Sequence, residues 1–204
     1  WAWLLAIYIC CGIACQLGWV GANWTEQVAG LEHHAPSSAS WMGTDQLGRD
    51  LLAQLLQGTR IALAVGLLAA GGAVLLGTIL GIISGWHRGW IDGIVLWLSG
   101  TVVAIPGVLL ILAIAAMMGK GFTAVCTSFA LVSWVGVYRL VRAETQRMHS
   151  EDFILAARAS GARPWQIFSR HLLPHLRPLI AVQFSLAFVW AIQTEAVLSF
   201  LGVG

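Results

Sequence analysis

Charge is scarce in this chain. Eleven Lys and Arg stand against nine Asp and Glu, 10% of 204 residues, where a soluble domain needs about a quarter. With 58% hydrophobic residues and a mean hydropathy of +0.81, the composition excludes a water-soluble exterior and makes lipid the solvent for most of the chain. A loop of the form G-x-x-x-x-G-K-[ST] is also lacking. Gly119-Lys120 has neither the upstream glycine nor the following hydroxyl, so the chain does not cradle ATP phosphates, and any such energy source resides on a partner. No C-x-x-C pair is present. Cys10, Cys11 and Cys15 crowd one stretch and stay open to a metal or redox reading, or to a role as small apolar residues inside a membrane; Cys126 stands alone. The adjacent His33 and His34 make a poor chelate and read as a solvated loop, so no metal site is assigned. No catalytic constellation is found, the net charge of +2 says little by itself, and no nucleic-acid partner is assigned.

What the chain does have is uncharged runs long enough to cross roughly 30 Å of hydrocarbon. The first, Trp1 to Ala22, carries Trp1 and Trp3 at one end and Trp19 near the other, as interfacial anchors. It is too long for the core of a cleaved signal peptide, and no basic region precedes it. The second, Ile61 to Ser84, leads into Gly85 and aligns Gly77, Gly81 and Gly85 at spacing four, a face against which another helix packs closely. The third, Ile94 to Met118, contains Pro106, which predicts a kink near its middle. The fourth is Gly121 to Tyr138. The fifth, Leu179 to Val203, holds Gln183, Gln193 and Glu195. The fold class is therefore all-α, a polytopic transmembrane bundle of about five spans.

Cation placement orients the bundle. Arg88 and the seven arginines from Arg139 to Arg177 fall on one side, Arg49, Arg60 and Lys120 on the other. The richer side marks the cytoplasm. The amino terminus is then cytoplasmic, residues 23–60 form an external loop, residues 61–149 hold spans two to four, and residues 179–204 end outside. Within the external loop, Asp45, Arg49 and Asp50 lie close enough in sequence to predict local ion pairs. Glu195, an ionisable group in an apolar span, either lines a polar route with Gln193 or pairs with a neighbouring helix or headgroups.

Residues 150–178 exceed what a turn requires. Ser150 predicts a helix cap, with Glu151 and Asp152 in the first turn, and the helix runs through Ala156 and Ala157 to Gly161. Pro164 opens a second short helix, Trp165 to Leu172, and Pro174 and Pro178 close the segment. Physical chemistry leaves two readings for this element: it lies on lipid headgroups, or it docks another protein.

Several motifs together resemble the dipeptide, oligopeptide and nickel type permeases of ATP-binding-cassette importers. Gly43, Thr44, Asp45, Gly48, Arg49 and Asp50 match the family's G-T-D-x-x-G-R-D, and Gly58, Thr59 and Arg60 follow as a second match. Ala156, Ala157 and Gly161 match its A-A-x-x-x-G docking signature; Arg170, His171, Leu173 and Pro174 match R-H-x-L-P. The stretch from Glu195 to Gly204 is similar to E-A-x-L-S-F-L-G-x-G. The resemblance implies the type I importer permease fold in a bacterial inner membrane. It also implies a homologous second permease subunit, two ATP-binding cassette subunits that hold ATP and Mg, and an external substrate-binding protein. Peptide is the implied cargo and nickel or a metal chelate the second choice; a secondary transporter or a membrane scaffold is the alternative, though paired inverted broken helices are not evident. Coupling falls to Ala156, Ala157, Gly161, Arg170, His171 and Pro174. Leu155 stands where a glutamate is common, leaving Glu151 or Asp152 to supply that charge, and Gly100 replaces an acidic residue. The family continues past this point with a further span and begins with a cytoplasmic lead-in, so the resemblance implies part of a longer chain.

Overall fold

The computed structural model describes residues 3, 10, 12, 14, 32–38 and 40–202. The expected first span, with Cys11 and Cys15, lies outside the described residues apart from Trp3, Cys10, Gly12 and Ala14, which are helical. Two compact units divide the chain, Trp1–Ala64 and Val65–Gly204. Helices dominate, and the described residues contain no strand beyond one isolated bridge between Thr44 and Asp50.

Helix α1, Leu51–His87, has 37 residues and is about 55 Å long, well beyond the hydrocarbon thickness. It begins ten residues before the expected span because the Asp50 carboxylate caps it, accepting from the Leu52 N–H at 2.9 Å. Arg60 had marked the edge of an uncharged run; it marks no helix end, and the last part of the expected external loop is helical.

The expected kink at Pro106 is instead a break. Helix α2, Trp90–Val103, and helix α3, Gly107–Met118, are bent by 92°. Pro106 has no N–H to offer Val102, its ring disfavours helical geometry at Ile105, and it serves as the cap residue of α3 with φ −54° and ψ 122°. Helix α4, Phe122–Met148, is the axis of the second unit and packs against α2, α3 and the last long helix. Val125, Phe129 and Val132 bury one stripe of it against Val65, Ala69, Ala73, Ile111, Ala191 and Leu198. It too continues past its expected end at Tyr138, through Arg139.

Helix α5 is Asp152–Ala159, α6 is Pro164–Ile167, a π turn spans Phe168–Leu172, and α7 is Leu173–Phe200. The Ser150 cap is corrected: Glu151 holds the cap position, without a side-chain bond to the helix. Pro174 and Pro178 do not close the segment. Pro174 falls in the first turn of α7 and Pro178 inside it, so Pro164–Phe200 is one helical run entered through the π turn. Among the described residues three helices have the length and apolarity to cross a membrane, four if the bent pair counts as one span.

Candidate functional site

The segment from α5 to α6 forms a hydrogen-bonded elbow. At its apex the Gly161 N–H donates to the Arg158 carbonyl at 2.9 Å and the Ala162 N–H to the Ala157 carbonyl at 3.0 Å. This crossed pair ends a helix only if the residue after the cap turns left-handed, and Gly161 does so at φ +77°. Beyond it the Arg163 N–H donates to Gln166 Oε1 at 2.8 Å, and Pro164 begins α6.

Side chains fix the elbow to the bundle on two sides. The Arg158 guanidinium lies 4.7 Å over the Trp86 ring at the end of α1, and Trp86 meets His149 edge-on at 5.0 Å. Phe153 stacks on His175 at 5.1 Å and approaches His171 at 6.2 Å. Burial, with the Arg158 and Arg88 charges added to it, holds the His149 imidazole below its usual pKa. What remains outward on α5 is Asp152, Leu155, Ala156 and Ala159, one helical stripe of two alanines flanked by a carboxylate and a leucine. Ala157 is half-buried, Arg170 is exposed, and His171 and Pro174 are half-buried beside the π turn. Glu151 is engaged by Arg147 at 3.0 Å, which leaves Asp152 as the free carboxylate of the stripe.

A polar junction escaped the sequence reading. Arg142 of α4 donates from both Nε and a terminal nitrogen to Asp92 of α2 at 2.5 Å. The Ser84 hydroxyl of α1 donates to the same carboxylate and lies 3.2 Å from the Tyr138 hydroxyl. One fork therefore ties three helices together. Fifty positions separate Asp92 from Arg142, so spacing gave no hint; the available signal was that each interrupts an apolar helix and needs a partner there.

Above that junction the break at Pro106 opens a cavity of about 450 Å³ between α2, α3, α4 and α7. Ser133, Arg139, Gln183 and Trp190 line it, along with Gly107 at the start of α3. Irregular backbone at membrane depth is tolerated where it is buried or faces a wet cavity. Glu195 is half-buried and Gln193 exposed on α7, and neither lines this cavity. Gln193 continues the Gln183, Leu186 and Trp190 face by one turn, whereas Glu195 follows the face of Phe188, which closes on Gly66.

In the other unit, Asp45 organises the turn before α1. Its carboxylate accepts from the Leu47 N–H at 2.8 Å, the Arg49 N–H at 2.9 Å and Gln54 Nε2 at 2.8 Å. The Arg49 N–H foremost holds that carboxyl below its usual pKa. The expected ion pairs are absent: among the described residues Asp45, Arg49 and Asp50 make none with one another, and Arg49 Nε is buried without a partner. Charges close in sequence are here turned to backbone N–H groups instead. Gly43 is required twice over, by φ +76° and by the His34 carbonyl oxygen 2.5 Å from where a Cβ would stand. Asp45→Ala is therefore expected to lower the yield of folded complex and expose residues 45–50 to protease, with cargo affinity unchanged and Arg49→Ala milder. Limited proteolysis beside a cargo-binding assay checks this.

Among the described residues no cluster of His, Cys, Asp and Glu suits a metal; Cys10 and Cys126 are free.

Residues 77–204 match the family described as binding-protein-dependent transport system inner membrane components. The chain is 41% identical over 172 residues to the glutathione transport system permease protein GsiD of Pectobacterium atrosepticum, covering 84% of this chain and 57% of that protein. It is 38% identical over 169 residues to the dipeptide transport system permease protein DppC of Alkalihalophilus pseudofirmus, covering 83% and 56%. Against the oligopeptide transport system permease protein OppC of Bacillus subtilis, identity is 32% over 169 residues, covering 83% and 55%. The chain thus spans little more than half the length of these relatives.

Proposed function

The chain belongs to the binding-protein-dependent transport system inner membrane components, and on that premise we propose that it forms half of the translocation pathway of an ATP-driven peptide importer. It is a multi-pass inner-membrane protein with an all-α permease fold. The elbow of α5, Gly161 and α6 carries the reading. Its outward stripe of Leu155, Ala156 and Ala159 offers a partner close approach, while ring contacts from Arg158 and Phe153 tie it to α1 and α7. An element stiff in itself and anchored at two points transmits a push; a loose loop absorbs it. ATP and Mg belong to the two ATPase subunits that dock there, a homologous permease supplies the other half of the route, and an external binding protein delivers cargo. Relatives named for glutathione, dipeptide and oligopeptide transport support peptides as the cargo.

Orientation follows from the arginines around the elbow. In the full-length complex, a cysteine replacing Ser160 is expected to resist an impermeant thiol reagent added outside and to cross-link to an ATPase subunit. One replacing Ser38 is expected to label from outside. Reversed labelling overturns the coupling role.

A further inference from the structure

Arg139 and Arg142 sit one turn apart on α4 and meet opposite fates. Arg142 is neutralised by Asp92. Arg139, among the described residues, makes no ion pair and no side-chain hydrogen bond, yet lines the cavity below the Pro106 break. Seventeen residues from the start of α4 place it about 25 Å along the helix, at the inner edge of the hydrocarbon. Arg139 is exposed, so its unpaired cation stands open to a counter-charge that enters the cavity.

Three further features of the same cavity favour an anion. Ser133 Oγ, two turns away on α4, is buried with no partner. Gln183 reaches the cavity from α7 with an amide N–H to donate. The first turn of α3, starting at Gly107 on the cavity wall, leaves N–H groups without intrahelical acceptors at the positive end of the helix. Donors and positive potential converge from α3, α4 and α7, and no carboxylate lines the space.

We propose that this cavity is a transit subsite for the carboxylate of the cargo, with Arg139 as its charge partner. The proposal rests on the peptide-importer reading and narrows it to cargo bearing a free carboxylate, for which the guanidinium fork is the natural partner. A bare divalent cation is repelled at the same point.

The test is ATP-driven uptake by the full-length complex in proteoliposomes at saturating binding protein. The probes are a dipeptide with a free carboxyl terminus and its carboxyl-terminal amide. Wild type is expected to carry the free acid about tenfold faster, a difference of about 1.4 kcal/mol. Arg139→Gln removes that preference by slowing the acid alone, and Arg139→Lys restores part of it. Gly136→Leu, which projects into open space on the same wall, slows both probes by obstruction. Retained ATPase activity shows that each variant is assembled. Equal slowing of both probes by Arg139→Gln, no slowing of either, or no effect of Gly136→Leu overturns the subsite while the importer reading stands. A wild-type complex that hydrolyses ATP and carries neither probe refutes the peptide reading and this inference with it.

Discussion

Gly77→Val is expected to abolish the folded complex, because at Gly77 the backbones of α1 and α4 are too close for any side chain. A Cβ there would stand 2.6 Å from the Trp134 carbonyl oxygen and 2.6 Å from Val137 Cβ. The first of these is backbone and has no rotamer to yield. Gly81 and Gly85 repeat the approach, with Val141 Cβ and the Arg142 carbonyl oxygen each at 2.8 Å from the position of an added Cβ. To admit Val, the helices must separate along the whole contact, at a cost of about 3 kcal/mol or more. Gly71→Ala, on the same helix but with nothing within 4 Å of its Cβ position, is the control and is expected to be neutral or slightly stabilising. Monodispersity and thermal melting in mild detergent check both. A Gly77→Val complex that melts with wild type would show that α1 and α4 do not pack as described.

The second large effect lies at the fork. Asp92→Asn strands the Arg142 charge at 23% side-chain exposure, and Arg142→Gln strands the Asp92 charge at 15%. Breaking a fully buried pair costs about 3–5 kcal/mol, and partial exposure reduces that to about 2 kcal/mol here. The double replacement Asp92→Asn with Arg142→Gln strands nothing and is expected to recover at least half the loss, which thermal melts of the four proteins measure. Purely additive losses would mean that the pair is not coupled.

Much of this was legible in the sequence wherever one residue type answers one local demand. The Gly77, Gly81 and Gly85 stripe needed only a period of four, and Gly161 only a helix that must reverse. Helix ends were poorly legible because an uncharged run measures the lipid thickness, whereas Asp50 and Gly161 set where helices start and stop. Arg60 and Arg139 therefore fall inside helices. Pro106 foretold a disturbance but not its size, since the 92° bend also depends on what packs around both halves. The Asp45 turn misled because charge signs along the sequence carry no information about which groups face backbone N–H donors. Asp92 and Arg142 were hidden by distance along the chain, and the cavity at Arg139 exists only once α2, α3, α4 and α7 are assembled.

The proposed coupling of ATP turnover to transport through the α5–α6 elbow stands or falls with Gly161→Val. Gly161 lies outside every span and has open space around its Cβ position, so only its backbone is at stake. At φ +77° a β-branched residue is strongly disfavoured, and the crossed bonds to Arg158 and Ala157 cannot both persist. Uptake and ATP hydrolysis are to be measured side by side in proteoliposomes containing the full-length complex. Membrane insertion and association with the second permease are expected to survive, while the complex recruits its ATPase subunits poorly or hydrolyses ATP without import. Normal uptake at normal ATP turnover would contradict the account, because an elbow that transmits the push cannot lose its bend without losing transport.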